Sequence, residues 1–183
     1  SMRPYLSILL VVCFLGTVNS AICQDPSASF ETRYVELYNE GAAFYQAGDY
    51  NSAINSFTSG LEIIEENVGR ENSDYVFILG DLASIYSSLG EHDKALEIQL
   101  ECLSLSEKLY GKEHPDYTTS LNNLALTYSN LGDYDKALEM FLESLTFSER
   151  LYSNEHPNYT TIRNCVASTY SDLGEYDKAL GVE

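Results

Sequence analysis

The chain has 183 residues, enough for one ordinary domain or a short repeat array. Apolar residues make up 44%, too many for a disordered chain, and 28 acidic residues against 10 basic ones give a net charge of −18. The Lys and Arg are scattered from Arg3 to Lys178 with no basic stripe, which argues against nucleic acid and anionic lipid as partners. The acidity has two readings: selection of a basic partner, and plain solubility through self-repulsion, the commoner role of an acidic surface.

The first residues differ from the rest. Arg3 is followed by an apolar run from Leu6 to Val18 and then by the small residues Asn19, Ser20 and Ala21, the three-part plan of a secretory signal peptide. The run is about 13 residues, short of the roughly 20 that a bilayer-spanning helix needs. Cleavage after Ser20 or after Cys23 fits the pattern. With a leader at 1–23 and a linker at 24–31, the remaining chain keeps only Cys102 and Cys165 of its four cysteines. Two thiols 63 residues apart are too sparse for a disulfide framework and read as small buried or half-buried side chains. Export predicts a periplasmic or secreted protein with no membrane contact once the leader is gone.

From Thr32 onward the chain repeats itself every 42 residues. Gly48, Gly90, Gly132 and Gly174 set the register, and the neighbouring columns then agree. One column is Phe44, Tyr86, Tyr128, Tyr170; another is Gly41, Ala83, Ala125, Ala167; a third is Ala53, Ala95, Ala137, Ala179. The units are 32–73, 74–115, 116–157 and a partial 158–183. In the first unit Glu40 stands where Leu82 and Leu124 stand later, so that unit is degenerate.

Each unit reads as two helices. In the third, Tyr117, Leu121, Leu124, Ala125 and Tyr128 follow the spacing of one helical face. Pro115 suits the first helical position, Gly132 a helix end, and Asp133 the cap of the next helix. That second helix is expected from about Tyr134 to Tyr152, with Ala137, Leu138, Phe141, Leu142, Leu145 and Leu151 as its apolar stripe. Small residues at Ala125 and Ala137 predict a close helix crossing, and stacked units are needed to bury the stripes. The fourth unit stops just inside its second helix without a polar capping helix, so the chain is expected to be a piece of a longer array, with self-association through that end as a weaker idea.

Leu79-x-x-Leu82-Ala83-x-x-Tyr86 and Leu121-x-x-Leu124-Ala125-x-x-Tyr128, followed by Ala137-x-x-x-Phe141, resemble the tetratricopeptide signature. The longer unit and the Gly111-Lys-Glu-His-Pro-Asp116 loop resemble the repeats of kinesin light chains and their bacterial relatives. The resemblance implies an all-α, right-handed superhelical solenoid of antiparallel helix pairs whose first helices line a concave surface. It implies partner contacts at Tyr38, Asn39 and Tyr45 in the first unit, Asp81 in the second, Asn122 and Asn123 in the third and Asn164 in the fourth. Among these Asn122 and Asn164 are favoured, because an amide both donates to and accepts from an extended backbone. The groove columns hold no Lys or Arg and carry Asp81 and Asp172, which disfavours acidic ligands.

No phosphate loop or nucleophile elbow is present, and the repeated His114-Pro and His156-Pro steps read as helix starts rather than catalytic bases. Neither a catalytic residue nor a metal or cofactor is expected. The function expected is therefore an exported scaffold that binds a protein or peptide segment, one of basic character if the charge selects it. The alternative is the regulatory front of a larger enzyme or signalling protein, such as a caspase-like peptidase or a sensor.

Overall fold

A computed structural model describes residues 29–151 and 157–182. The expected leader at 1–23, the linker up to residue 28 and His156 lie outside the described residues. Those described form eight α-helices and no strand. They are α1 (Phe30–Gln46), α2 (Tyr50–Val68), α3 (Ser73–Ser88), α4 (His92–Tyr110), α5 (Pro115–Asn130), α6 (Tyr134–Leu151), α7 (Pro157–Asp172) and α8 (Tyr176–Val182). Each helix packs chiefly on its neighbours in sequence, which is the nearest-neighbour arrangement of a solenoid. The all-α array of helix pairs is the fold the sequence predicts. Its first helix begins at Phe30, two residues before the first unit's boundary at Thr32, and Ser29 Oγ caps it by accepting from the Thr32 N–H at 3.3 Å.

The same turn joins the helices of every pair. In the first, the Gly48 N–H donates to the Tyr45 carbonyl and the Asp49 N–H donates back to the Phe44 carbonyl at 2.9 Å. This pattern closes the helix only if the residue between adopts a left-handed backbone, and Gly48 does so with φ of 78°. Glu91, Asp133 and Glu175 donate in the same way to Tyr86, Tyr128 and Tyr170. The acidic residue after the glycine stands at the start of the next helix, and where it is an aspartate its side chain caps that helix. Asp133 Oδ1 accepts from the Lys136 N–H at 3.4 Å, the cap expected from the sequence, and Asp49 Oδ1 accepts from the Ser52 N–H at 3.2 Å. Lys94, Lys136 and Lys178 each pair with that acid and lie over the ring of the preceding Tyr, at 5.1, 5.0 and 5.6 Å.

Pro115 opens α5 as expected, and its histidine has a definite task. His114 Nδ1 accepts from the Asp116 N–H at 3.2 Å, while its ring stacks on Tyr110 at 4.7 Å. The His-Pro step is thus a cap followed by the residue whose missing N–H costs a helix nothing.

The small columns are the core. Ala53, Ala83, Ala95, Ala125 and Ala137 are all fully buried, and Ala125, Ala137, Phe141 and Val166 form one cluster that joins α5, α6 and α7. Gly41 takes the Ala position in the first unit because a Cβ there would lie 2.6 Å from the Phe57 ring. Glu40 is half-buried and accepts from Ser56 Oγ at 3.3 Å, so the degenerate first unit replaces an apolar contact with a polar one. Cys102 is buried, Cys165 is half-buried, and both are free thiols.

Leu124 on α5 is completely buried. Leu124→Ala should lower the unfolding free energy by about 2–5 kcal/mol. Chemical denaturation followed by circular dichroism measures this; a loss below about 1 kcal/mol would mean that the site collapses to fill the space.

Candidate functional site

The first helices of the units, α1, α3, α5 and α7, share one side of the array. Two of them, α1 and α3, are tied by side chains that reach from one unit to the next. Tyr34 on α1 donates to Asp74 on α3 at 2.6 Å, and Tyr38 donates to Asp81 at 3.1 Å. The Tyr38 ring also stacks on Phe57 at 5.5 Å and meets Phe77 at 5.6 Å. The Tyr34 hydroxyl is pushed up to about 12, first by its hydrogen bond to Asp74 and then by burial. It remains a donor throughout the working pH range.

Between α3 and α5, with α4 behind, lies a groove of about 450 Å³. The step between α5 and α7 has the same construction and holds only about 140 Å³. The column arithmetic explains the difference. Gly80 occupies the column of Tyr38 and Asn122, so no side chain enters from that position. Gln99 occupies the column of the buried Phe57 and Phe141, and an amide replaces the aromatic ring that elsewhere fills the space behind the first helices. Gln99 is 4% exposed, and its Oε1 is buried with no hydrogen-bond partner.

The groove wall is part polar and part apolar. Asp81 is half-buried, and loss of water around it pushes its carboxyl above the usual carboxylate range, against the opposing pull of the Tyr38 hydrogen bond. Asp74 and Asp116 stand at the edges, and Asn123 enters from α5. Phe77 is 59% exposed on the same wall. Behind it Cys102 donates weakly from Sγ to the Val76 carbonyl at 3.6 Å, and burial pushes its thiol up to about 12, so it stays protonated and unreactive. Ser106 and Ser120 bond each other at 2.7 Å. In the next step Ile162 stands in the Ser120 column, and Ser148 is left buried without a partner.

The residues expected to contact a partner divide accordingly. Asp81 and Asn123 meet in the wide groove, and Tyr38 holds Asp81 from the first unit. Asn122 faces the narrow step between α5 and α7, half-buried and with Oδ1 unpartnered. Asn39 and Asn164 are exposed on α1 and α7, outside both grooves. Tyr45 is exposed at the end of α1, with its ring 5.7 Å from Tyr50. Gln99 was not foreseen as a site residue because it sits on a second helix, in a column that reads as core.

Known proteins carry this fold. The sequence profile of the tetratricopeptide repeat matches residues 74–150 and 118–182, more than half of the chain, so the chain belongs to the tetratricopeptide repeat family. Among solved structures it is similar to BtubC (BKLC) from P. vanneervenii, with a TM-score of 0.79 and 19% identity over 87% of this chain and 63% of that one. It is also similar to a Podosopora anserina protein assigned as a kinesin light chain with nearly identical TPR-like repeats, with a TM-score of 0.75 and 20% identity over 88% of this chain and 77% of that one. The Rap protein solved in complex with Competence and Sporulation Factor gives a TM-score of 0.70 and 18% identity over 85% of this chain and 42% of that one. This chain therefore spans less than two thirds of the length of BtubC and less than half that of Rap. No curated protein sequence matches it. The family architecture is that of a protein–protein interaction scaffold, and such scaffolds are in general not enzymes.

The raised Asp81 carboxyl has a measurable consequence. A carboxyl whose pKa is higher folded than unfolded costs stability when ionised, and that cost disappears as pH falls through the folded value. Asp81→Asn should therefore raise Tm at pH 7, with the gain shrinking towards pH 4. A Tm gain that is equal at both pH values would show that burial of the charge is not its source.

Proposed function

We propose that the concave side of the array binds a segment of another protein and does no chemistry of its own. The observation that carries this reading is the groove between α3 and α5, where Gly80 and Gln99 leave open about 450 Å³ against about 140 Å³ in the next step. It lies between two of the first helices and offers polar groups along both. Asp81, Ser84 and Asn123 supply side-chain acceptors and donors, and Phe77 supplies exposed apolar area. The Rap complex with Competence and Sporulation Factor lends support, because it is a partner-bound protein of this fold. The leader-like run Leu6–Val18 supports an exported place of action.

The test is capture from extract of the native source with the tagged chain, read by mass spectrometry and repeated at low and high salt. A specific partner is expected. Asp81→Asn combined with Asn123→Ala should weaken its capture at least about tenfold with no fall in Tm. Capture that is unchanged in this variant would move the binding surface away from the groove. Analysis of the mature N-terminus after expression in the native host checks the compartment: the protein should begin near Ala21 or Gln24, and a cytosolic chain retaining Met2 would contradict export.

A further inference from the structure

The wide groove is unusual in the kinds of atoms it presents. Three carboxylates border it, Asp74, Asp81 and Asp116, and none of its lining residues is Lys, Arg or His. On its inner wall is Gln99, a side chain 4% exposed whose Oε1 is buried and makes no hydrogen bond. Leaving a buried carbonyl oxygen unpaired costs free energy, and the neighbouring units avoid that cost by placing Phe57 and Phe141 there. The rim thus carries negative charge with no cationic side chain to balance it, and the back of the recess holds an unpaired carbonyl oxygen. Tyr38 uses only part of the Asp81 carboxylate, which has about four lone-pair sites.

The rest of the wall narrows the choice of occupant. Phe77 is 59% exposed and Val76 lies beside it. An apolar wall leading to an acidic recess without a cationic residue matches a side chain with a hydrocarbon stem and a cationic head. A hydrated metal ion has no use for the Phe77 ring, and the carboxylates are spread over α3 and α5 rather than gathered on one point.

We propose that the groove between α3 and α5 is a specificity recess for one Lys or Arg side chain of the partner segment, with its stem on Phe77 and its charged head between Asp81 and Gln99. The source of that side chain rests on the scaffold reading; the recess itself does not. An occupant would give the Gln99 carbonyl a donor and the Asp81 carboxylate a counter-charge. The amide end of Gln99 turns readily about its last torsion to present oxygen. The specificity comes from the second unit alone, because only there do Gly80, Asp81 and Gln99 coincide.

The test uses the full chain and small probes, so that it does not wait on the partner. N-acetyl-arginine methylamide is titrated into the isotopically labelled protein and followed by nuclear magnetic resonance. N-acetyl-citrulline methylamide, of equal shape and no charge, is the control. Saturable shifts are expected at Gly80, Asp81 and Gln99 with arginine and at least about tenfold weaker binding with citrulline. Gln99→Phe should abolish the saturable shifts while raising Tm, since it restores the residue that the first and third units carry at this position. Asp81→Asn should weaken binding and leave the helical spectrum unchanged; it keeps the test decisive if Gln99→Phe does not fold. Shifts that are equal for the two probes, that spread evenly over the acidic surface, or that survive both substitutions would overturn the proposal. Failure of this titration leaves partner capture by the array intact, and failure of capture leaves the titration intact, so the two readings fall separately.

Discussion

The approach of two helices at small side chains sets the geometry of everything else in the array. Ala125 on α5 and Ala137 on α6 are fully buried in one cluster with Phe141, and the same small columns recur in the other units. In the first unit the contact is closer still, and Gly41 is required because the Phe57 ring occupies the space of a Cβ. Such a pair buries only part of its apolar stripe. Val166 of the next unit completes the cluster, so stability accumulates by stacking and not within one pair. Turns closed by the glycine column fix the angle at which each pair is set, and they repeat with φ between 76° and 78°.

This regularity makes the departures informative. Where a column changes residue type, the backbone is held in place by its neighbours and the side chain alone alters the surface. Glu40 and Ser56 exchange an apolar contact for a hydrogen bond. Gln99 exchanges a buried ring for an amide, and the volume in front of it rises to about 450 Å³ against about 140 Å³ one step along. Arg163 stands in the column of Leu37, Leu79 and Leu121, and its Nε is buried without a partner. Only the Gln99 departure coincides with an open groove and carboxylates at its rim.

The fold was legible in the sequence because its determinants are periodic. Glycines at a constant spacing mark the turns, and the apolar columns name the buried faces, so helices α5 and α6 fall within a residue of where the pattern places them. The start of α1 was less legible, since its single serine cap, Ser29, lies outside the repeat units and carries no periodic signal. The site was legible only in part. The family's contact columns brought Asp81 and Asn123 to the groove, but Asn122 and Asn164, the two residues favoured on the chemistry of their amides, fall elsewhere. Side-chain chemistry alone does not say which face of a helix opens onto a cavity. The cue that locates the cavity is Gln99, a polar residue in a column that is aromatic in the first and third units, and it becomes visible when Phe57 and Phe141 are aligned with it.

The central claim is that partners are held on the face made by the first helices. Hydrogen exchange of the chain, with and without its captured partner, tests this most directly. The account predicts slowed exchange concentrated in α3 and α5, with little change in α2 and α6 on the other side of the array. Slowed exchange confined to α2 and α6, with α3 and α5 unaltered, would contradict it.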